Sequence, residues 1–300
     1  MQPNPALKKL GFSDTDRVAI IHTDDIGMCQ ASVSAFADMV DYGLISSGAV
    51  MVPCPWFLEA AEYAQSHPEA DLGVHLTLTS EWKTYRWGPI STRDPNTGLM
   101  DEQGFFHHRS EGAWANADPD AVFVELEAQV KRSLAAGMDP THIDTHMGSV
   151  AHPAFIPSYV QLMTKYGLPA MIPRMSVEDL VAGQNIDPGT AELIVGMIQS
   201  LEEMGLPLVD HLSGLELDDA ANRLEQAKQA LGALKPGITH FIIHPSKDTP
   251  ELRQITTSWE CRVADYETFT SDDTRKFIED EGIQIIGYRE LKALMPTDIK

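Results

Sequence analysis

Residues Arg17-Val-Ala-Ile-Ile-His-Thr-Asp-Asp-Ile-Gly27 decide how this chain is read. A short β-branched apolar run ending in polar residues is the pattern of a buried strand that delivers acids to its end. Asp24 and Asp25 stand side by side there. Adjacent carboxylates repel one another and lose hydration on burial, so a fold that keeps both at a strand end gives them different partners, a metal for one and a proton for the other. The plainer reading is that Asp25 N-caps a helix beginning near Cys29.

Outward from that run, apolar strand-like segments alternate with amphipathic helical ones. A helix over Cys29 to Tyr42 ends at Gly43, placed as a left-handed C-cap. A strand at Gly48 to Val52, helical residues Ala60 to Ser66, and a strand at Leu72 to Leu78 carrying His75 follow. Regularity returns with a helix over Pro119 to Ala136, stopped by Gly137, and a strand at Thr141 to Thr145. Further strands are expected at Pro169 to Ile172, Leu206 to Val209, Thr239 to Ile243 and Ile283 to Ile286. Helices over Pro153 to Tyr166, Thr190 to Met204, Asp218 to Leu231 and Asp272 to Asp280 separate them. That rhythm is α/β, a single-domain barrel of about seven or eight βα units, whose reactive groups gather at the C-terminal ends of the strands.

Between about residues 80 and 117 the rhythm stops, and Trp82, Trp87, Phe105, Phe106, His107, His108 and Trp114 are scattered among Gly, Pro and charges. So long an irregular insertion in a compact barrel is either a functional excursion, such as a lid over a pocket, or a surface flap whose aromatics pack on the barrel exterior.

The charge balance excludes some partners. With 22 Lys and Arg against 44 Asp and Glu among 300 residues, the formal charge of −22 disfavours nucleic acid and acidic membrane surfaces. Cys29, Cys54 and Cys261 are widely spaced, without a CxxC pair, which fits packing roles in a reducing compartment. Neither a signal-peptide core nor a membrane-spanning run of about 20 apolar residues is present, so the expected location is the cytoplasm. A homodimer is the base-rate expectation for its assembly.

Asp25 after the first strand, His75 on the third and His146 after Thr141-His-Ile-Asp-Thr are placed to converge as a carboxylate and two imidazoles, leaving an open position of the catalytic kind. Each histidine alone is more often a hydrogen-bonded core or surface residue. Asp144 is a candidate acceptor for the second ring proton of His146, against the alternative of a turn-stabilising Asp, and His142 is expected to point into the barrel wall. His244, in Phe241-Ile-Ile-His-Pro-Ser246, is a candidate proton donor or a turn residue before Pro245. Arg174 and Arg262 are each placed to pair with a buried Asp, although surface salt bridging is the commoner fate of an arginine. Nitrogen donors favour zinc, cobalt or iron, and the carboxylate keeps magnesium open.

Four blocks, Thr23-Asp-Asp-Ile-Gly27, Asp71-Leu-Gly-Val-His-Leu-Thr-Leu-Thr-Ser80, Pro140-Thr-His-Ile-Asp-Thr-His-Met-Gly148 and Ile242-Ile-His-Pro-Ser246, occur in order through nearly the whole chain. Together they resemble the YdjC-like carbohydrate deacetylase family. The resemblance implies a distorted, incomplete TIM-like barrel that binds one divalent metal ion and removes acetyl groups from N-acetylated sugars or oligosaccharides. It implies Asp25, His75 and His146 as metal ligands, Asp24 as general base, His244 as acid, and Arg174 as a residue orienting Asp24. Where many relatives continue the third block with further histidines, this chain reads Met147-Gly-Ser-Val150. Hydrolysis of another amide or ester on the same barrel, and non-catalytic sugar binding, are the alternatives. The first would share every one of these residues, and the second would be suspected only if one were missing.

Overall fold

Along the first strand, β1 (Arg17–Ile26), alternate side chains enter two different cores. Val18 and Ile20 pack with Val209, Ile238, Ile286 and Tyr288, whereas Ala19 and Ile21 pack with Leu231, Phe241, Ile243 and Phe269. A strand buried on both faces is what a parallel sheet covered by helices requires, and this accounts for the nearly unbroken apolar run before His22. Each fully buried aliphatic side chain there contributes about 1.5–3 kcal/mol relative to exposure.

The computed structural model describes residues 2–184 and 187–297. Among them β1 is central. The others are β2 (Ser47–Val50), β3 (Leu72–Leu76), β4 (Ile143–Thr145), β5 (His211–Gly214), β6 (Gly237–Ile243) and β7 (Gln284–Ile285). They form one curled sheet in the order β4-β3-β2-β1-β6-β5, with β7 beside the start of β1 and every pairing parallel. Helices connect the strands, as parallel neighbours require. Cys29, Cys54 and Cys261 are free and buried. No helix among the described residues is long and apolar enough to cross a membrane.

Seven strands are present among the described residues, so the eight-stranded form of the expected TIM-like barrel is not the one found. The two expected strands at 169–172 and 206–209 are reduced to isolated bridges, Ile143 to Ala170 and Pro173 to Val209. Pro169, Pro173 and Pro207 explain this, because each lacks the N–H a ladder needs. The regular strand begins just later, at His211. Several helices begin later than expected, at Ile156 rather than Pro153 and at Arg223 rather than Asp218, whereas Asp272–Asp280 is as expected. Gly43 takes the left-handed C-cap conformation at φ 76°.

Asp25 is not a helix cap. Cys29 holds that position, and the helix runs Gln30–Tyr42. The irregular insertion is well tied to the barrel. Arg86 donates to Asp101 Oδ2 at 2.8 Å and to the Phe106 carbonyl at 2.6 Å, and Trp87 Nε1 donates to the Thr79 carbonyl at 2.8 Å. Buried Glu125 accepts from the backbone of Ile90 and Ser91. A helix, Ser110–Asn116, closes the segment.

Candidate active site

Asp25, the last residue but one of β1, has φ 62°, a left-handed conformation that costs a non-glycine residue on the order of 1–3 kcal/mol and is tolerated where the surroundings enforce it. Arg262 Nη1 lies 2.8 Å from Asp25 Oδ2, with both side chains almost fully buried. Burial alone would raise the Asp25 carboxyl, but Arg262 and then His146 outweigh it and hold the group well below the usual carboxylate range. The same carboxylate raises the Arg262 guanidinium against the opposing effect of burial.

On β3, His75 pairs in register with Asp144 of β4, so both side chains project from the same face. His75 Nδ1 donates to Asp144 Oδ1 at 2.8 Å, which turns Nε2 toward Asp25 Oδ1 at 3.5 Å. His146 opens the 3-10 turn His146–Gly148 directly after β4. Its Nδ1 lies 3.1 Å from Asp25 Oδ1 and its Nε2 lies 3.1 Å from Glu81 Oε2, in the insertion. Burial opposes protonation of both rings but is outweighed. Asp144 and Asp24 hold His75 well above its ordinary value, and Glu81 and Asp25 push His146 up to about 9.

The ligand-type atoms of Asp25, His75 and His146 all lie within 4.8 Å of one another. Asp25 Oδ1 and His75 Nε2 are buried, yet neither makes a well-directed hydrogen bond. Orphaned donor atoms and a buried set of two imidazoles and a carboxylate together fit a divalent cation. A neighbouring group, His22, Asp24, Asp144 and His240, is equally compact. Most of its atoms already have partners, His22 with Asp24 and His142 and Asp144 with His75, so it fits an ion less well.

Asp24 turns the other way. His22 Nδ1 donates to its Oδ1 at 2.7 Å, leaving Oδ2 facing His75 Nε2 at 3.7 Å and His244 Nε2 at 3.9 Å. Burial raises the Asp24 carboxyl, but His75, His22 and His244 more than offset this and hold it ionised far below the usual range. His244 follows β6 and keeps 20% of its side chain open to solvent. Burial lowers its pKa, with partial compensation from Asp25 and Asp24. Its backbone N–H donates to Asp265 Oδ2 at 2.9 Å, and Arg223 Nε donates to Asp265 Oδ1 at 2.7 Å.

A family model described as YdjC-like protein matches residues 18–280, which include every one of these side chains. The chain belongs to the YdjC-like family. A carbohydrate deacetylase of Thermus thermophilus is 32% identical over 276 residues, covering 91% of this chain and 93% of the relative. Another, from Thermoanaerobacter pseudethanolicus, is 25% identical over 91% of this chain and 98% of the relative. Among solved structures, an Enterococcus faecalis V583 protein described in terms of cellobiose-phosphate cleavage superposes with a TM-score of 0.76 at 25% identity, covering 92% of this chain and 99% of that one.

In this YdjC-like chain the residues singled out from the sequence are mostly brought together: Asp24, Asp25, His75, Asp144, His146, His244 and Arg262 form one site. Two expectations are corrected. Asp144 serves His75 rather than His146, because strand register sets it beside β3 while His146 has already turned off the strand. Arg174 does not reach Asp24. Its Nη1 donates to Asp210 Oδ1 at 2.8 Å and its Nε lies 2.9 Å from Glu202, since the Pro173 bridge turns it toward Val209. Sequence reasoning missed Glu81 and His22 as site residues, whereas the insertion aromatics Trp82 and Trp87, singled out as part of a lid or a surface flap, lie beside the site. The Trp87 ring lies 6.3 Å from that of His146, and the Arg262 guanidinium stands 5.7 Å from the centre of Trp82. Glu81 sits five residues beyond β3, a spacing that carries no periodic signal. A largely apolar cavity of about 420 Å³ is lined by Thr145 and Gly148, which flank His146 in the sequence, and by Ile156, Met171 and Leu193, but by none of the site's own side chains.

Proposed function

We propose that this protein is a metal-dependent carbohydrate deacetylase that hydrolyses the acetamide of an N-acetylated sugar or oligosaccharide. The observation that carries this reading is the convergence of His244 Nε2 and His75 Nε2 within 3.9 and 3.7 Å of one carboxylate oxygen, Asp24 Oδ2, beside the Asp25, His75 and His146 group. A base and an acid flanking a cation-binding set are the parts that amide hydrolysis needs. The choice of sugar acetamides rests on the relatives named carbohydrate deacetylases.

Asp25, His75 and His146 would hold the divalent ion, zinc, cobalt or magnesium, which supplies Lewis acidity at the acetyl carbonyl and eases deprotonation of water. Asp24 Oδ2 takes the proton of the attacking water as its oxygen bonds to the acetyl carbon. His244 protonates the sugar nitrogen as the C–N bond breaks, so acetate and a free amino sugar leave. Arg262 keeps Asp25 ionised, and Asp144 keeps the Nε2 of His75 directed inward.

Acetate release from a panel of N-acetylated sugars, with zinc, cobalt or magnesium added, tests this reading. Turnover that needs a metal and disappears in Asp24→Asn, with the metal retained, is the expected result. Full turnover in that variant removes Asp24 from the reaction, and the absence of acetate from every sugar sinks the substrate class.

A further inference from the structure

Below the site the curled sheet encloses a column of polar side chains. His22 lies two residues before Asp24 on β1 and therefore on the same face. It is completely buried, as are His142 and His240. A histidine inside an apolar strand core is expensive unless both ring nitrogens find partners. His22 meets that demand in two directions. Its Nδ1 contacts Asp24 Oδ1 at 2.7 Å, and its Nε2 shares a hydrogen bond with His142 Nε2 at 2.8 Å.

The contacts continue. His142 Nδ1 lies 3.0 Å from Thr141 Oγ1, and the Thr141 hydroxyl donates to Asp71 Oδ1. Asp71 sits at the opposite ends of the strands, just before β3, where Ser47 Oγ donates to it at 2.9 Å and the Arg289 backbone N–H at 2.7 Å. The Tyr288 ring stacks on His142 at 3.9 Å between centroids, and its hydroxyl bonds His240 Nδ1 at 2.8 Å. Room for His142 comes from Gly73, where a Cβ would fall 2.4 Å from the imidazole Cε1. The column is therefore braced on β1, β6, the segments leading into β3 and β4, and the segment after β7.

We propose that His22 is a positioning residue for Asp24, held in place by this column. Its Nδ1 contact pins one carboxylate oxygen so that the other, Oδ2, faces the reacting groups. The inference rests on the reading of Asp24 as the base. Misplacement of a catalytic group by about 1 Å costs on the order of 100-fold in rate, so the effect is measurable without any contact between His22 and substrate.

Two amide variants separate the two ends of the ring. The Asn side chain places an N–H where His has Nδ1 and does not reach His142. Gln reaches toward His142 and loses the Nδ1 position. His22→Asn is expected to keep kcat within about fivefold of the parent, whereas His22→Gln and His22→Phe lose about 10- to 100-fold in kcat with KM and bound metal nearly unchanged. Parental kcat in His22→Phe overturns the proposal, as does rescue by Gln but not by Asn. Equal loss of kcat, metal and thermal stability in all three overturns it too, by reducing His22 to a packing role. Asp24→Asn runs alongside: if it is inactive while His22→Phe is fully active, only the positioning role falls, and if Asp24→Asn is itself active the base assignment falls and takes this inference with it. A readout independent of turnover is the 15N-histidine spectrum of the metal-free protein, in which Asp24→Asn should displace the Nδ1 resonance of His22. An unmoved resonance rejects the contact.

Discussion

His75 and Asp144 are direct partners across the β3 and β4 pairing, and the imidazole Nδ1 donates to the carboxylate at 2.8 Å. Because the two strands fix both backbones, this bond sets the ring's orientation and reserves Nε2 for the space beside Asp25. Carboxylates behind ligating histidines commonly strengthen metal affinity by about 10- to 100-fold. Asp144→Asn should therefore weaken binding of added zinc or cobalt by that factor, measured by competition with a chelator, while His75→Ala and His146→Ala abolish it. Undiminished affinity in Asp144→Asn would mean that the ring is oriented by packing alone.

Metal uptake should release protons. In the metal-free protein His146 is pushed up to about 9 and His75 is held well above its ordinary value, in both cases by carboxylates that outweigh burial. At pH 7 these rings carry protons that a cation must displace, because a ligand nitrogen needs its lone pair. Apparent affinity therefore rises with pH, by up to about a decade per pH unit for each proton displaced, over the range up to the deprotonation of His146 near pH 9. Titration calorimetry in buffers of different ionisation enthalpy counts the protons. A pH-independent affinity between pH 6 and about 9 would contradict the site assignment.

The parts of this site that were legible in the sequence are those that strand ends announce. Asp25, His146 and His244 each follow or close an apolar run, whose end the turn chemistry marks, while His75 is a polar residue within one. The partner of Asp144 was not legible, since it depends on register between strands about 70 residues apart, and register is set by pairing in three dimensions. Choosing between Arg174 and Arg262 had the same difficulty. A bridge at Pro173 directs one away, and the helix Trp259–Phe269 carries the other inward. His22 looked like part of a strand because it is one. Only its neighbours, each from a different element, reveal it as the head of a buried polar column.

Arg262→Met should destabilise the metal-free protein, by less than the about 3–5 kcal/mol of a wholly unpaired buried charge, because the Asp25 carboxylate loses its partner at 2.8 Å and keeps the His146 ring at 3.1 Å. Methionine retains much of the packing volume, so the loss reports charge rather than a cavity. A saturating divalent cation should restore part of this stability by taking over as the partner of Asp25. Denaturant unfolding with and without added zinc measures both quantities, and a loss below about 1 kcal/mol would place the pair among weakly contributing ion pairs.

Asp265 joins the two halves of the support beneath His244. One oxygen accepts the His244 backbone N–H at 2.9 Å and the other accepts Arg223 Nε at 2.7 Å, with the Asp265 and Arg223 side chains 0% and 3% exposed. Removing either charge leaves the other buried and unpaired, so Asp265→Asn and Arg223→Met should each lower stability by about 3–5 kcal/mol. Their catalytic effects should differ. Asn can retain an acceptor for the His244 N–H only by turning its amide group toward Arg223, where two donors then oppose one another, so the turn carrying His244 shifts and kcat falls more than KM rises. Arg223→Met leaves the carboxylate and its bond to the His244 N–H in place, and kcat should stay within about threefold of the parent. Equal kcat losses in the two variants would show that His244 is sensitive to loosening of the whole region and not to the Asp265 contact.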